Sequence, residues 1–219
     1  MRKSTTNFAL LLLASSYGCA STSLYKRPDA PAVNADQDKF LIMPVDIHGM
    51  PGDKDAQGTA LAGGFVAAFK DTGVPLEPLK PAFEAVGLSN ISSDLAEGMY
   101  HLVSSHNSYD FAADGSFHGG DSKLVLVVEG LAKLVGMATE QLNLDFKPKY
   151  VVVAHIDSTG SSIPKTIDYR VIGGLYNVEE SKIDQVIWYE KSTADDESVV
   201  LGEMGTLGNE LHNKLFPSE

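Results

Sequence analysis

The stretch Lys149–Lys191 constrains the fold more than any other. It opens with KYVVVAHID, apolar at nearly every position from Tyr150 to Ala154, the pattern of a strand buried in a sheet. Thr166–Asn177 and Ile183–Lys191 follow as two further strands. The short acidic turn Val178–Lys182 joins them and predicts an antiparallel hairpin. In the first of these strands, Ile167, Tyr169, Val171 and Gly173 alternate with Thr166, Asp168, Arg170 and Ile172, and Gly173-Gly174 predicts a bulge. A meander of this kind needs helices to cover it, and the rest of the chain must supply them.

Lys39–Val45, KFLIMPV, reads as a first strand. Pro44 cannot donate to a ladder, so it puts this strand at a sheet edge or ends it. Asp46–Gly58 is Gly-rich and reads as a loop. Thr59–Lys70 is helix-like, with Leu61, Phe65, Ala68 and Phe69 on one side. Gly63 and Gly64 each weaken that helix by roughly 1 kcal/mol, and close approach of helix to sheet would offset the loss. Asp71–Gly87 holds Pro75, Pro78 and Pro81 and reads as turn. Ser89–Ser105 is a second helix with a stripe of Leu95, Met99, Leu102 and Val103. His106–Asp121 reads as loop, and Ser122–Thr139 as a buried helix through Leu124, Val128, Leu131, Leu134, Val135 and Ala138. Val199–Phe216 closes the chain as an amphipathic helix. The expected class is α/β (α+β), one domain over 39–219 in the order β-α-α-α-β-β-β-α. About four strands form a mixed sheet, with helices mainly on one face.

The N-terminus is of another kind. Arg2 and Lys3 precede an apolar run from Phe8 to Ala14, then small residues, then Cys19, the only cysteine. A spanning helix needs about 20 apolar residues, so this run is too short to stay in a membrane. It has the three zones of a secretory leader. Ser15-Ser16-Tyr17-Gly18-Cys19 resembles the lipobox of bacterial lipoproteins, with Gly18 matching and Ser16 and Tyr17 standing where Leu and a small residue are usual. The resemblance implies that 1–18 is removed and that Cys19 carries acyl chains, palmitate among them. Ala20 as second mature residue implies the outer membrane, with the domain in the periplasm. Several acyl chains anchor stably, at roughly 0.8 kcal/mol per buried CH₂. Residues 19–38 read as the lipidated cysteine and a flexible tether, broken by Pro28 and Pro31, able to extend to about 60 Å.

The formal charge is −12, and loss of Arg2 and Lys3 makes it more negative, which excludes nucleic acid as a partner. With Cys19 acylated no disulfide forms, and packing alone must hold the fold.

The element order is similar to the small α/β domain of several outer-membrane lipoproteins. These are the penicillin-binding-protein activators, the curli-secretion lipoprotein, the TolB N-terminal-like family and auxiliary lipoproteins of transport systems. The matching stretches are Phe40–Val45, Tyr150–Asp157, Ile183–Tyr189 with its aromatic pair, and Val199–Phe216. The resemblance implies binding to other proteins and carries over no catalytic residue.

The chain holds no catalytic motif that fits its chemistry. Asp157-Ser158-Thr159-Gly160 lacks the spacing and the second copy that an aspartic protease needs, and reads as a strand-ending turn. His101 and His106 are five apart and point to different sides of a helix, unlike zinc ligands four apart. Oxygen- and imidazole-rich loops can hold Ca²⁺ or Zn²⁺. The candidates are His48, Asp53 and Asp55 in one loop, and Asp110, Asp114, His118 and Asp121 in another; neither has the calcium-loop spacing. Gly49–Gly64 lacks the endings of a phosphate loop, and GxSxG is absent. Tyr150, Trp188 and Tyr189 either face a partner or fill the core. The expected function is therefore a non-catalytic envelope accessory or assembly factor without a cofactor. The alternatives are an envelope enzyme, such as a metal-dependent hydrolase using the Asp/His loops, and a lipoprotein that binds a small ligand.

Overall fold

The computed structural model describes residues 23–104, 110–111, 117–118, 122–161 and 163–217; side chains are described outside 23–24 and 102–125. The elements run β1 (Ser23–Lys26), β2 (Phe40–Ile42), β3 (Asp46–His48), α1 (Lys54–Ala68), β4 (Gly73–Pro75), a 3₁₀ turn (Glu77–Leu79) and α2 (Lys80–Ala85). Then come α3 (Ile91–Ser104), β5 (Asp110–Phe111), β6 (Phe117–His118), α4 (Ser122–Gln141), β7 (Tyr150–Gly160), β8 (Thr166–Asn177), β9 (Lys182–Ala194) and α5 (Glu197–Leu215).

The α/β class stands, with more strands than expected. One mixed sheet of seven strands has the order β1-β9-β8-β7-β2-β4, and β3 also pairs with β7. The β7-β8-β9 meander is antiparallel, and β2, β3 and β4 are parallel additions on its far side. The extra strands are three or four residues long, too short to show a period of two.

Helices cover both faces of the sheet, not mainly one. The cause is in β7. Its residues from Tyr150 to Ile156 are all buried, so alternate side chains enter two different cores. Val151 and Val153 join Leu41, Met43 and Ile172 under α3 and α4. Tyr150, Val152, Ala154 and Ile156 join Phe40, Ile42 and Val171 under α1 and α5. Gly173 and Gly174 divide the same way. A Cβ on Gly173 would lie 2.9 Å from Leu211 Cδ1, and one on Gly174 would lie 2.1 Å from Met99 Cε. These glycines admit a helix on each face and are not the predicted bulge. The irregularity falls between Leu175 and Tyr176, where β9 carries Asp184 as an extra residue.

The segment expected to be a free tether is docked over its described part, 23–38. Ser23–Lys26 pairs antiparallel with Gln185–Trp188 at the sheet edge. Tyr25 is buried. Arg27 reaches the buried Asp184 through Nε at 2.9 Å and Nη2 at 2.7 Å, and also pairs with Glu180. Further on, Lys149 Nζ meets Asp38 at 3.0 Å, and Thr72 Oγ1 donates to the Ala35 carbonyl at 2.8 Å.

Candidate functional site

β2 and β3 both run parallel along β7. Phe40–Ile42 lies opposite Tyr150–Val152, and Asp46–His48 lies opposite His155–Asp157. Between these ladders stand Met43, Pro44 and Val45 on one side, but only Val153 and Ala154 on the other. The surplus residue is a bulge at Pro44, which has no N–H to offer the ladder. One extra residue changes the face of everything after it. Even-numbered Phe40 and Ile42 point toward α1 and α5, whereas after the bulge it is Ile47 that does so. Asp46 and His48 are thereby turned to the α3 side, where His155 lies.

The parallel register sets Asp-Ile-His beside His-Ile-Asp, with Asp46 opposite His155 and His48 opposite Asp157. Asp46 Oδ2 lies 2.8 Å from His48 Nε2 and 2.9 Å from His155 Nδ1. The two imidazole rings are 5.3 Å apart, and Tyr100 of α3 packs 5.0 Å from the His155 ring. His155 is buried at 4 % exposure, while the His48 side chain is 56 % exposed. Burial pushes the Asp46 carboxyl up, but the hydrogen bonds and charge of His155 and His48 outweigh it and hold the group below its usual range. Gly49 follows with φ +67°, and a Cβ there would meet Ser158 Cβ at 2.9 Å, so the chain leaves β3 pressed against β7. One carboxylate and two imidazoles thus converge where β3 runs beside the middle of β7, one imidazole buried and one open to water. Such a set can orient a basic imidazole or ligate a metal.

Of the metal candidates named from the sequence, only His48 joins this cluster among the described residues. Asp53 caps α1, accepting from Asp55 N at 2.9 Å and Ala56 N at 3.2 Å. His118 pairs through its backbone with Asp110 in the β5–β6 ribbon. Asp121, Asp114, His106 and Cys19 lie outside the described residues. His101 sits exposed on α3, 3.5 Å from Glu97. Asp157–Gly160 belongs to β7 and is not a turn. Asp46 and His155 were not singled out. Their meeting depends on a pairing 109 residues apart, and Asp46 lies in a stretch read as loop.

Trp188 and Tyr189 do not form a common patch. Neighbours in a strand face opposite ways, so Trp188 packs partly buried against the α3–α4 core and Tyr189 lies in the α1–α5 core. Tyr150 is also fully buried. The apolar surface left open is elsewhere. On α4, Leu126, Val127, Leu134 and Met137 are 64, 56, 42 and 55 % exposed. A groove of about 780 Å³ runs beside α1, floored by Ile42, Pro44, Val66 and Leu76, with Lys54 and Glu77 among its lining residues. Among the described residues no helix is long and apolar enough to cross a membrane.

No family model matches the chain, and no curated protein is similar to it in sequence. Solved structures do match. The PelC dodecamer from Paraburkholderia phytofirmans is 8 % identical, with 91 % of this chain and 99 % of that chain covered and a TM-score of 0.45. Lipoprotein GNA1162 from Neisseria meningitidis is 14 % identical, with 83 % and 99 % covered and a TM-score of 0.39. Both are distant in sequence and in superposition.

Proposed function

We propose that the chain is an outer-membrane lipoprotein, anchored through Cys19, whose periplasmic α/β domain is a non-catalytic accessory factor binding other envelope proteins. Its kinship is with the small α/β lipoproteins that work by protein contact. The observation that carries this reading is the apolar face of α4. Leu126, Val127, Leu134 and Met137 stand exposed while Val128, Ala132, Val135 and Ala138 of the same helix are buried. The open strip runs from Leu126 to Met137, 12 residues and about 16 Å of helix.

The occupant this face suits is a protein segment with an apolar side. Helices that lie in a bilayer surface carry Lys and Arg along the polar face and aromatic residues on the other. The exposed positions of α4 between Leu126 and Gln141 offer Lys133 as their one basic residue and no aromatic. Leu, Val and Met with a single basic neighbour and no aromatic are instead suited to a protein contact.

The docked N-terminus supports the same reading. β1 starts four residues after Cys19, a span of about 14 Å at most. A lipid on Cys19 would hold the sheet edge against the membrane, so the domain is a fixed platform and not a leashed one.

Crosslinking in intact envelopes tests the proposal, with wild type set against Cys19→Ala and Leu134→Glu. Cys19→Ala should move the chain to the soluble fraction. Leu134→Glu should stay membrane-bound and folded but lose a specific crosslinked protein. A crosslink pattern identical in wild type and Leu134→Glu would overturn the assignment of α4, and a soluble wild type would overturn the anchor.

A further inference from the structure

We propose that Asp46, His48 and His155 form a binding site for one divalent transition-metal ion of the zinc class. The inference is independent of the anchoring and partner-binding reading and goes beyond it.

The donor set comes first. Two imidazole nitrogens and one carboxylate oxygen, all within 4.8 Å of one another, are the ligands that Zn²⁺ takes. Ca²⁺ and Mg²⁺ ask for oxygen donors throughout, and this set would serve them poorly. Tetrahedral ligands about 2.0–2.1 Å from zinc stand about 3.3 Å from each other. Asp46 Oδ2 is now 2.8 Å and 2.9 Å from the two nitrogens, so admitting an ion requires each contact to open by about half an ångström.

The scaffold comes second. Asp46 and His155 are register partners in a parallel ladder, and His48 is two residues from Asp46 on the same face. The His155 ring is wedged between Tyr100 and His48. Strand placement with packed rings holds donors more closely than loops do. His48 faces water, which gives an ion its way in and leaves a fourth position for a water or an exchangeable ligand.

The third observation is the far nitrogen of His155. The ring is buried, and its Nε2 meets no hydrogen-bond partner among the described residues. Ligation through Nδ1 needs that nitrogen free of its proton, with the proton on Nε2. Among those residues nothing donates to Nε2 and nothing accepts from it, so the tautomer is not blocked but its N–H has no partner, and the donor set and the strand scaffold carry the assignment. Binding then replaces the two Asp46–imidazole hydrogen bonds: a neutral ring moves its proton from the ligating nitrogen to the other ring nitrogen, and only a protonated ring gives one up to solvent.

The test uses the full chain, stripped with a chelator and titrated with Zn²⁺ by calorimetry, with Co²⁺ as a spectroscopic probe. One equivalent of Zn²⁺ should bind, and Co²⁺ should give the intense visible absorption of a tetrahedral site. His155→Ala and His48→Ala should each weaken Zn²⁺ at least about 100-fold, since even partners outside the ligand shell are worth 10–100-fold. His48 is exposed, so its variant keeps the fold even where the buried His155→Ala does not. Circular dichroism of the metal-free protein checks that. The proposal is overturned by no stoichiometric Zn²⁺, by affinity unchanged in His48→Ala, or by Mg²⁺ competing at equal concentration.

Discussion

Replacing Gly208 by alanine should be among the most damaging single-methyl changes in this protein. Gly208 lies on the buried face of α5, where that helix crosses α1. A Cβ there would stand 2.4 Å from Phe65 N, 2.5 Å from Leu61 O and 2.9 Å from Gly64 C. Ordinary carbon contacts lie near 3.5 Å, and every obstructing atom is backbone, so no side chain can swing away. The helices must part by about 1 Å. Overpacking of this kind costs about 3 kcal/mol, and the better helix propensity of alanine returns about 1 kcal/mol. The net loss of about 2 kcal/mol lowers the midpoint of thermal unfolding by about 4–8 °C in a domain of this size. The same helix supplies controls. A Cβ on Gly202 or Gly205 meets nothing within 4 Å, so alanine there should raise the midpoint through propensity alone. Thermal melts followed by far-UV circular dichroism read all three. A Gly208→Ala protein melting at or above wild type would refute the account, and so would a Gly205→Ala protein that falls as far. Gly64 takes part in the same crossing, its own Cβ position lying 3.0 Å from Gly205 O. The Gly63-Gly64 pair therefore serves the approach of α1 to α5, where the sequence suggested approach to the sheet.

Arg27→Ala should destabilise by about 3 kcal/mol in chemical denaturation, because it leaves the Asp184 carboxylate, 1 % exposed, with Asn177 as its remaining recorded side-chain partner. Hydrogen exchange over 23–27 should rise in the same variant as β1 loosens. His212, set against the Phe69 and Phe216 rings, has its pKa lowered chiefly by burial. The folded state thus disfavours its proton, so stability is full above the unfolded value near 6.5 and declines as pH falls below it. His212→Phe should flatten the unfolding midpoint between pH 7 and pH 5, and an unchanged slope would remove His212 from the cause. Asp53→Ala should cost about 1 kcal/mol through the lost cap of α1, while Zn²⁺ affinity measured by calorimetry stays that of wild type.

The elements legible in the sequence are those whose signal is local. α3, α4 and α5 each bury one stripe at helical spacing, and β7, β8 and β9 are long enough to show a run or an alternation. Their bounds fell within a few residues of expectation. α1 starts at Lys54 and not at Thr59 because the cap, Asp53, sits inside a Gly-rich stretch that disguises it. The prolines of 71–87 misled in another way. Pro78 and Pro81 occupy first-turn positions of a 3₁₀ turn and of α2, where a missing N–H costs nothing. β1 is four residues long, with Leu24 and the buried Tyr25 set in a mostly polar stretch, and only the open edge of β9 makes it a strand. The second helical layer was readable in principle, since seven successive buried residues in β7 leave no face for water.

The cluster of Asp46, His48 and His155 was unreadable for a different reason. Each of its residues is ordinary in its own neighbourhood, and the spacing that matters runs across strands, not along the chain. Two facts make it: a parallel register that sets residue 46 beside residue 155, and one surplus residue at Pro44 that turns the acid and the imidazole to the side where His155 already points. Without the surplus residue, Ile47 would face Tyr100, and Asp46 would be driven into the Phe65–Tyr150 core. Burying an unpaired carboxylate there would cost several kcal/mol, far more than a bulge. The bulge therefore serves the fold first, by keeping a charge out of the core. The same geometry gathers two imidazoles around that charge, beside Tyr100 of α3.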